Sequence, residues 1–443
     1  MISVTIQSSN IDLGADWDDL VSRSHPNVFM SPAALRAAEV TAFAKLHVLL
    51  AWDDRVEPRR LVGLWAMQKR RTWPLWIAVL EALPYEYAFL SSPVIDADVA
   101  SDVMAAFFKA IAGARTSPNV IVMKSLDAEA VSYPLIIDAL ATHGGRVMTI
   151  KTENRPVFWR DAIEKNSGER RKKLRQSWKR MSAIGVTTIV INTEPPAVSA
   201  AVERFLQLEF KSWKGAAGTA VLCRDEDANF VRQMIVNLAE QGQAIVQELQ
   251  IDGQTIAVQI LLLSGSMAYT WKTTFDESYA KFSPGVALID KLTEHLFATT
   301  TIAGIDSCSV ENSFMAQIWS GRRAMADVLV AVGPGPSIAF WVEAAWQVGG
   351  ERLKSLHKVL VALRDQKRQT TPTRAQAVIR PATAPIAMPV VAPAMLRHVE
   401  NVSLVPDDAV LVDIASPSIV ANDPHPSVQH DRAADRAGAR SDS

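Results

Sequence analysis

The 443-residue chain has only two cysteines, Cys223 and Cys308. Neither lies in a C-x-x-C pair and no His/Cys group has zinc spacing, which excludes a disulfide scaffold and a zinc module. Free thiols in a reducing compartment are expected instead. Excess charge is missing too: the net charge is −1, so the molecule as a whole is no polyanion binder and any basic site must be local. Long apolar runs are also absent. The stretch "WPLWIAVLEAL" is too short to span a bilayer and contains Glu81. The start, "MISVTIQSSNIDLGADW", has no basic n-region and no apolar core of a signal peptide. A cytoplasmic protein without a transmembrane segment is the expectation.

Aromatic residues stop at Trp346, and from about Thr370 prolines crowd the sequence, as in "RPATAPIAMPVVAPAM". A segment without aromatic anchors cannot offset its ordering entropy, so residues 370–443 are expected to be disordered. Residues 336–369 read as one or two helices, with Leu353, Leu356, Leu360 and Leu363 on one stripe opposite Arg and Lys. The rest is 49% hydrophobic overall and too long for one ordinary core, so two domains are expected.

Those two domains echo each other. "LHVLLAWDDRVEPRRLVGLWAM" is an apolar strand, an acidic turn and a second apolar strand. "AIVQELQIDGQTIAVQILLL" has the same form, with Asp252-Gly253 as a two-residue hairpin signal. Around each hairpin the pattern helix–strand–strand–helix–strand–helix–strand recurs, with hardly any shared residue identities. Between the echoes lies "SGERRKKLRQSWKRMSAIG". Ser167 suits its N-cap, Leu174, Trp178 and Met181 form one apolar seam, and Gly185 suits a left-handed C′ position. From Lys165 to Arg180 it has eight basic residues against one acidic. With Trp178 as its sole aromatic, this helix fits a solvated face beside an anion-attracting cleft better than a nucleic-acid arm.

Candidate chemistry gathers in the second echo. In "SMAYTWKTTF", strict alternation puts Tyr269, Trp271 and Thr273 on one face and Thr270 and Lys272 on the other. The helix that follows opens at Ser283-Pro284-Gly285, a serine N-cap, a proline N1 and a residue with no Cβ. Bare amides there would form an anion cradle, with Lys272 or Lys281 as added charge. Trp213-Lys214-Gly215 ends another helix, which contains Glu209, in a glycine-rich loop. Asp306 sits on a short strand and Glu311 beyond its carboxyl end, where open α/β sheets place ligands. Cys308 as a nucleophile would need a base, and His295 is the nearest histidine in sequence.

The segments "SGERRKKLRQSWKRMSAIG", "FLQLEFKSWKGAAGTAV", "LQIDGQTIAVQILL", "YTWKTTFDESYAKFSPGVAL" and "IDSCSVENSFMAQIW" together resemble GNAT-superfamily acetyltransferase-like proteins of the cellulose-biosynthesis CelD-like group, relatives of the FemAB-type transferases. The resemblance covers about residues 1–335 and is strongest from Ser167 to Arg323. It implies an α/β (α+β) fold of tandem GNAT-like domains, each a mixed, mostly antiparallel sheet flanked by helices, followed by the disordered tail. The expected division is a degenerate N-terminal domain over 1–160, the basic connecting helix over 161–185, an acyltransferase domain over 186–335, C-terminal helices over 336–369 and the tail over 370–443. In that fold the thioester arm of coenzyme A lies between two parted strands, and its pyrophosphate sits on the next helix, here at Ser283, Pro284 and Gly285. The chain departs from the family in lacking the phosphate loop Q/R-x-x-G-x-G/A and in having no tyrosine after Tyr279 to protonate the leaving thiolate.

The expected activity is N-acyl transfer from a thioester, acetyl-CoA or another acyl-CoA as co-substrate, to an amine of a sugar or amino-acid-like acceptor in polysaccharide or envelope biosynthesis. A FemAB-like transferase using charged tRNA and a catalytically silent binding module are the alternatives. Glu209, Lys272 and Glu311 are the candidate catalytic residues. Lys272, Tyr279, Ser283, Pro284 and Gly285 are candidates for the donor, and Trp213, Lys214, Asp276 and Asp306 for the acceptor. No metal, no tightly bound cofactor, no specific nucleic acid and a monomer or homodimer complete the expectation.

Overall fold

Apolar strands and amphipathic helices follow one another in the same order twice. A computed structural model describes residues 1–7, 12–72, 75–114, 117–130, 132–142, 144–161, 168–335, 337–350 and 411–412. The first pass contains β1 (Ile2–Gln7), α1 (Gly14–Ser22), α2 (Pro32–Val40), β2 (Leu46–Asp53), β3 (Arg60–Thr72), β4 (Ile77–Glu81), β5 (Val94–Ile95), α3 (Ala100–Gly113), β6 (Val120–Asp127), α4 (Ser132–Thr142) and β7 (Arg146–Trp159). After the basic helix α5 (Gly168–Ser182), the second pass contains β8 (Thr187–Asn192), α6 (Pro195–Lys211), α7 (Trp213–Ala216), α8 (Asp225–Glu240), β9 (Ala244–Ile251), β10 (Gln254–Ser264), β11 (Met267–Phe275), α9 (Pro284–Thr299), β12 (Gly304–Asp306), α10 (Met315–Ile318) and β13 (Gly321–Ala331). A further helix covers 338–350. The predicted Asp252-Gly253 turn forms, with both residues at positive φ, the geometry that joins right-twisted antiparallel strands.

The two passes share one sheet, in the order β1-β2-β3-β4-β6-β13-β7-β12-β11-β10-β9-β8. Each pass is mostly antiparallel, with one parallel contact: β4 with β6, and β11 with β12. The last strands are exchanged. β13 lies against β6 of the first half, and β7 lies against β12 of the second. β7 and β13 then pair with each other, Arg155 opposite Arg323. Two residues further along each strand, Met325 faces Asp127 and Val157 faces Asp306. The register is therefore symmetric about the Arg155–Arg323 pair.

Charges lock this seam. Arg323 donates from one guanidinium nitrogen to Asp306 Oδ2 (2.9 Å) and reaches Asp127 Oδ2 with the other (2.8 Å). Arg155 lies 3.6 Å from Asp306 Oδ1 and donates to the Phe89 carbonyl. The Cys308 amide donates to Asp306 Oδ1 (2.7 Å). His25 Nε2 stands 3.0 Å from Asp127 Oδ2. Both arginines and both aspartates are buried. Burial raises the Asp127 carboxyl pKa, and the His25 hydrogen bond with the Arg323 charge outweighs it, so the group ends below its ordinary value. Around the pin, α2 packs on α8 and one apolar cluster runs through both halves.

The basic helix packs as its seam predicts, with Met181 buried and Trp178 half-buried against the β9–β10 end of the second half. Gly185 is required for a different reason from the one expected. It has no positive φ; a Cβ there would strike Asp252 and Ile251, so glycine serves close approach to the hairpin. The Ser167 cap lies outside the described residues. So does the expected disordered tail, apart from β14 (Leu411–Val412), which pairs with Met148 and Val147 of β7. No helix among the described residues is long and apolar enough to cross a membrane.

Removing Arg323 leaves two buried carboxylates facing each other. Arg323→Ala should therefore lower stability by about 3–5 kcal/mol, read as a urea midpoint at neutral pH. Because the Asp127 pKa is depressed in the fold, its contribution is present above the ordinary aspartate pKa and is lost as pH falls through the folded value. The gap between wild type and Arg323→Ala should narrow on acidification. A gap that stays constant from neutral to acid pH would show that the charges do not pin the seam.

Candidate active site

The buried stripe of α6 runs Val198, Ala201, Val202, Phe205, Leu206 and then Glu209, which puts a carboxylate where an apolar side chain belongs. Glu209 is 1% exposed. Such a charge must be compensated. Lys214 Nζ donates to Glu209 Oε1 at 3.0 Å, and the Val221 amide donates to Oε2 at 3.0 Å. Lys214 is held in place by α7, whose cap Ser212 accepts from the Lys214 amide. Burial pushes the Glu209 pKa up; the charges of Lys272 and Lys214 and the Val221 bond outweigh burial and hold it below the ordinary glutamate value.

Lys272 arrives by a route that strict alternation does not predict. Ile260 pairs with Lys272 and Leu261 with Thr270, so Trp271 is an extra residue, a β-bulge. The bulge breaks the expected opposition of Trp271 and Lys272, and both reach Tyr87. The Trp271 indole N–H donates to the Tyr87 carbonyl (3.0 Å), and Lys272 Nζ lies 4.6 Å from the centre of the Tyr87 ring. Beyond the bulge β11 continues on β10 to Phe275. Its parallel pairing with β12 covers only Met267–Tyr269 and ends at Asp306. The bulge thus stands where the two strands part.

Tyr87 belongs to the first half, in the segment that leaves β4. Its hydroxyl donates to Asp227 Oδ2 of α8 (2.9 Å), and its ring stacks on Phe43, which stacks on Phe230. Burial and the Asp227 bond push its hydroxyl pKa up. Sequence reasoning missed Tyr87 and Asp227. They lie 140 residues apart, and no local pattern links "LPYEYAFLSSP" to α8.

Of the residues expected from sequence, Glu209, Lys214 and Lys272 come together, with Trp213 exposed beside them and its amide bonded to Glu277 Oε1. The others do not join them. Asp276 caps the turn over residues 277–282 by accepting from Ser278. Tyr279 packs on Phe282. Asp306 is the buried anchor of the seam, where the expected acceptor contact is closed to any ligand. Glu311 accepts from Asn154 of β7 (3.3 Å). The buried Cys308 thiol is pushed up by burial, opposite to what a nucleophile needs.

The expected anion cradle is corrected as well. Ser283 is in the left-handed region (φ 51°) and its hydroxyl caps nothing. The Val286 and Ala287 amides turn back onto the Ser283 carbonyl. Pro284 and Gly285 are buried, and a Cβ on Gly285 would touch Phe275 and Thr273. Bare amides facing solvent are therefore not what this entrance offers, and no donor phosphate is placed there. A cavity of about 920 Å³ lies instead between α5 and α9, with Leu174, Trp178 and Phe297 in its walls and Arg175 and Lys179 among its charged lining. It does not include Glu209, Lys214 or Lys272. Among the described residues no group of three or more His, Cys, Asp or Glu could hold a metal.

Residues 168–309 match the family described as an acetyltransferase (GNAT) domain. No curated protein matches the sequence. Among solved structures, FemX aligns over 74% of this chain and 97% of its own at 11% identity and a TM-score of 0.50, which supports a common fold. The C-terminal domain of a lysylphosphatidylglycerol synthetase, assigned only tentatively, from Agrobacterium fabrum aligns over 76% and 94% at 14% identity and TM-score 0.47. A tandem GNAT protein of the clavulanic acid biosynthesis pathway aligns over 76% and 100% at 13% identity and TM-score 0.40. Residues 168–309 thus match a GNAT acetyltransferase domain, and the chain shares its overall fold with FemX.

Proposed function

We propose that the protein is an N-acyltransferase that moves an acyl group from a thioester donor, acetyl-CoA or another acyl-CoA, to an amine of a sugar or amino-acid-like acceptor. The observation that carries this reading is Lys272, delivered by the Trp271 bulge to the point where β11 and β12 part, beside the buried Glu209–Lys214 pair. The amine nitrogen attacks the thioester carbonyl, the new C–N bond forms, and the C–S bond breaks. Negative charge passes from the carbonyl oxygen to the leaving sulfur, which takes a proton. An ammonium fixed at the strand gap stabilises that charge where it develops.

Glu209 has a different role in this proposal from that of a free base. Both its oxygens are occupied and its pKa is lowered, so it holds the two ammonium groups in place. The amine loses its proton to water. Trp213 and Lys214 flank the acceptor side, and Tyr87 forms the wall contributed by the first half. Alignment of amine and thioester supplies the remainder of the rate.

A second reading keeps the transfer and changes the donor. Lys172, Arg175, Lys179 and Arg180 are exposed on α5, a surface suited to the phosphates of a charged tRNA. Activity destroyed by RNase would favour that donor; activity that persists with purified acyl-CoA supports the first.

Two outcomes follow. Lys272→Met should lower turnover with acyl-CoA and an amine acceptor by about 10²–10³-fold when assayed well below its thermal midpoint, which should itself fall because Lys272 helps compensate the buried Glu209. Turnover per folded molecule that matches wild type would make Lys272 structural only. For Glu209, the folded pKa lies below the unfolded one, so its stability contribution is present above the ordinary glutamate pKa and is lost as pH falls through the folded value. Glu209→Gln should be destabilised most at neutral pH, and the difference should shrink towards pH about 4, as followed by urea unfolding. A difference that grows on acidification refutes the assigned charge state.

A further inference from the structure

Between Thr255 and Ser264, strand β10 is apolar except for Gln259, whose side chain is fully buried. A buried amide is costly unless it is bonded. Gln259 Nε2 donates to the Lys272 carbonyl (3.1 Å) and to the Ile260 carbonyl (2.9 Å), and its Oε1 accepts from the Thr273 hydroxyl. Carbonyls only accept, so these contacts fix which end of the amide is which. Both amide hydrogens are used, and a side chain with no exposed surface touches no substrate.

Ile260 and Lys272 are the last regular pair before Trp271, the extra residue of the β11 bulge. One side chain therefore ties the two strands at the residue whose ammonium serves the proposed reaction. The tie comes from the face of the sheet opposite Glu209. Leu261, two residues along β10, packs with Leu292 and Leu296 of α9, and a Cβ on Gly285 of α9 would touch Thr273. Val258 and Ile260 point the other way, into the cluster that contains Phe205 and Leu206 of α6. A bulge needs such a tie, because an inserted residue disrupts the ladder and regular pairing does not fix where it sits. With the extra residue moved past Lys272, Lys272 would stand opposite Gln259 and face α9. The bond between Gln259 and Thr273 exists only in the present register, where the two residues pair. We propose that Gln259 is a positioning residue: it locks the Trp271 bulge in register and so holds the Lys272 ammonium toward Glu209 and Tyr87. Its part in turnover rests on the acyl-transfer reading above; its hold on Lys272 does not.

Gln247 supplies the control. It pairs with Gln259 from β9 and is as deeply buried, and its amide finds no partner among the described residues. The full chain is labelled with limiting acetic anhydride, and Lys272 is followed by peptide mass spectrometry against Lys109, exposed on α3. Gln259→Met keeps the length of the side chain and removes the amide. It should raise the Lys272 labelling rate severalfold, because the amine is no longer held against Glu209 and Tyr87, while Lys109 labels as before. Gln247→Met should leave Lys272 at the wild-type rate. A Lys272 rate that Gln259→Met leaves unchanged or lowers overturns the proposal, and so does an equal rise in Gln247→Met. With an acyl-CoA and an amine acceptor, Gln259→Met should lower turnover about 10–100-fold, the scale of a misplacement of about 1 Å. In a Lys272→Met background it should lower turnover no further. Equal losses in both backgrounds would show that Gln259 acts on the fold and not through Lys272. Should Gln259→Met not fold, Thr273→Val removes only the hydroxyl that fixes the amide, and both readouts should move in the same directions by less. If the wild type turns over no acyl-CoA, the transferase reading fails, and the labelling still decides whether Gln259 holds Lys272.

Discussion

Buried guanidiniums pin the two halves of this protein together, and Arg323 makes the closest contacts. Arg323 comes from the last strand of the second half and bonds to the carboxylates that end β6 of the first half and β12 of the second. Those carboxylates can be neighbours only because the last strands are exchanged. Exchange also costs the chain independence: neither half completes its own sheet, so the central strands are shared property. A buried ion group is weak evidence of extra stability relative to an apolar seam, and a better-supported use for it is to fix register. With strands as apolar as β6 and β13, a slip of one residue would turn every side chain to the other face, and paired charges at one position forbid it.

The seam accounts for the placement of the site. Once β7 and β13 bind the halves back to back, the segment leaving β4 runs across the junction. Its Tyr87 then meets Trp271 and Lys272 of the other half. The site is built from the register outward: the pin fixes β12, β12 fixes the point at which β11 departs, and the bulge at that point turns Lys272 toward Glu209. A carboxylate as deeply buried as Glu209 is tolerable because two ammonium groups and an amide converge on it.

Much of this was legible in the sequence, and the failures have physical causes. The order of elements, the duplicated plan, the Asp252-Gly253 turn and the apolar seam of α5 all follow from local periodicity and turn chemistry, which act over a few residues. Lys272 stood out by the alternation of its strand and Lys214 by the glycine-rich end of the helix that contains Glu209, and the structure brings these three side chains together. The exchange of strands was hidden, since pattern says that a strand forms and not which edge it joins. The bulge was hidden for a related reason: inserting one residue changes the face of Lys272 while leaving the composition of β11 intact. At α9 the Ser-Pro-Gly sequence was read as a bare entrance, yet the left-handed Ser283 turns its carbonyl to the first amides. Asp306 was read as a ligand contact because it ends a strand; its partner Arg323 lies on an exchanged strand and could not be seen.

The two halves share a plan and differ in what fills the gap between their parallel strands. In the first half, β4 and β6 pair only at Leu80–Ile121 and Glu81–Val122, and Glu81 is bound by Arg70 and Lys124. Helix 338–350 then closes that region, burying Phe340 and Glu343 against it. In the second half the corresponding region meets Tyr87 and a cluster of half-exposed lysines. The first half sends the segment after its own β4 against Trp271 and Lys272 of its partner, and a helix from beyond the second half covers what that segment leaves behind. The candidate site lies on one half of a duplicated fold because a segment that crosses the junction serves only the side it reaches.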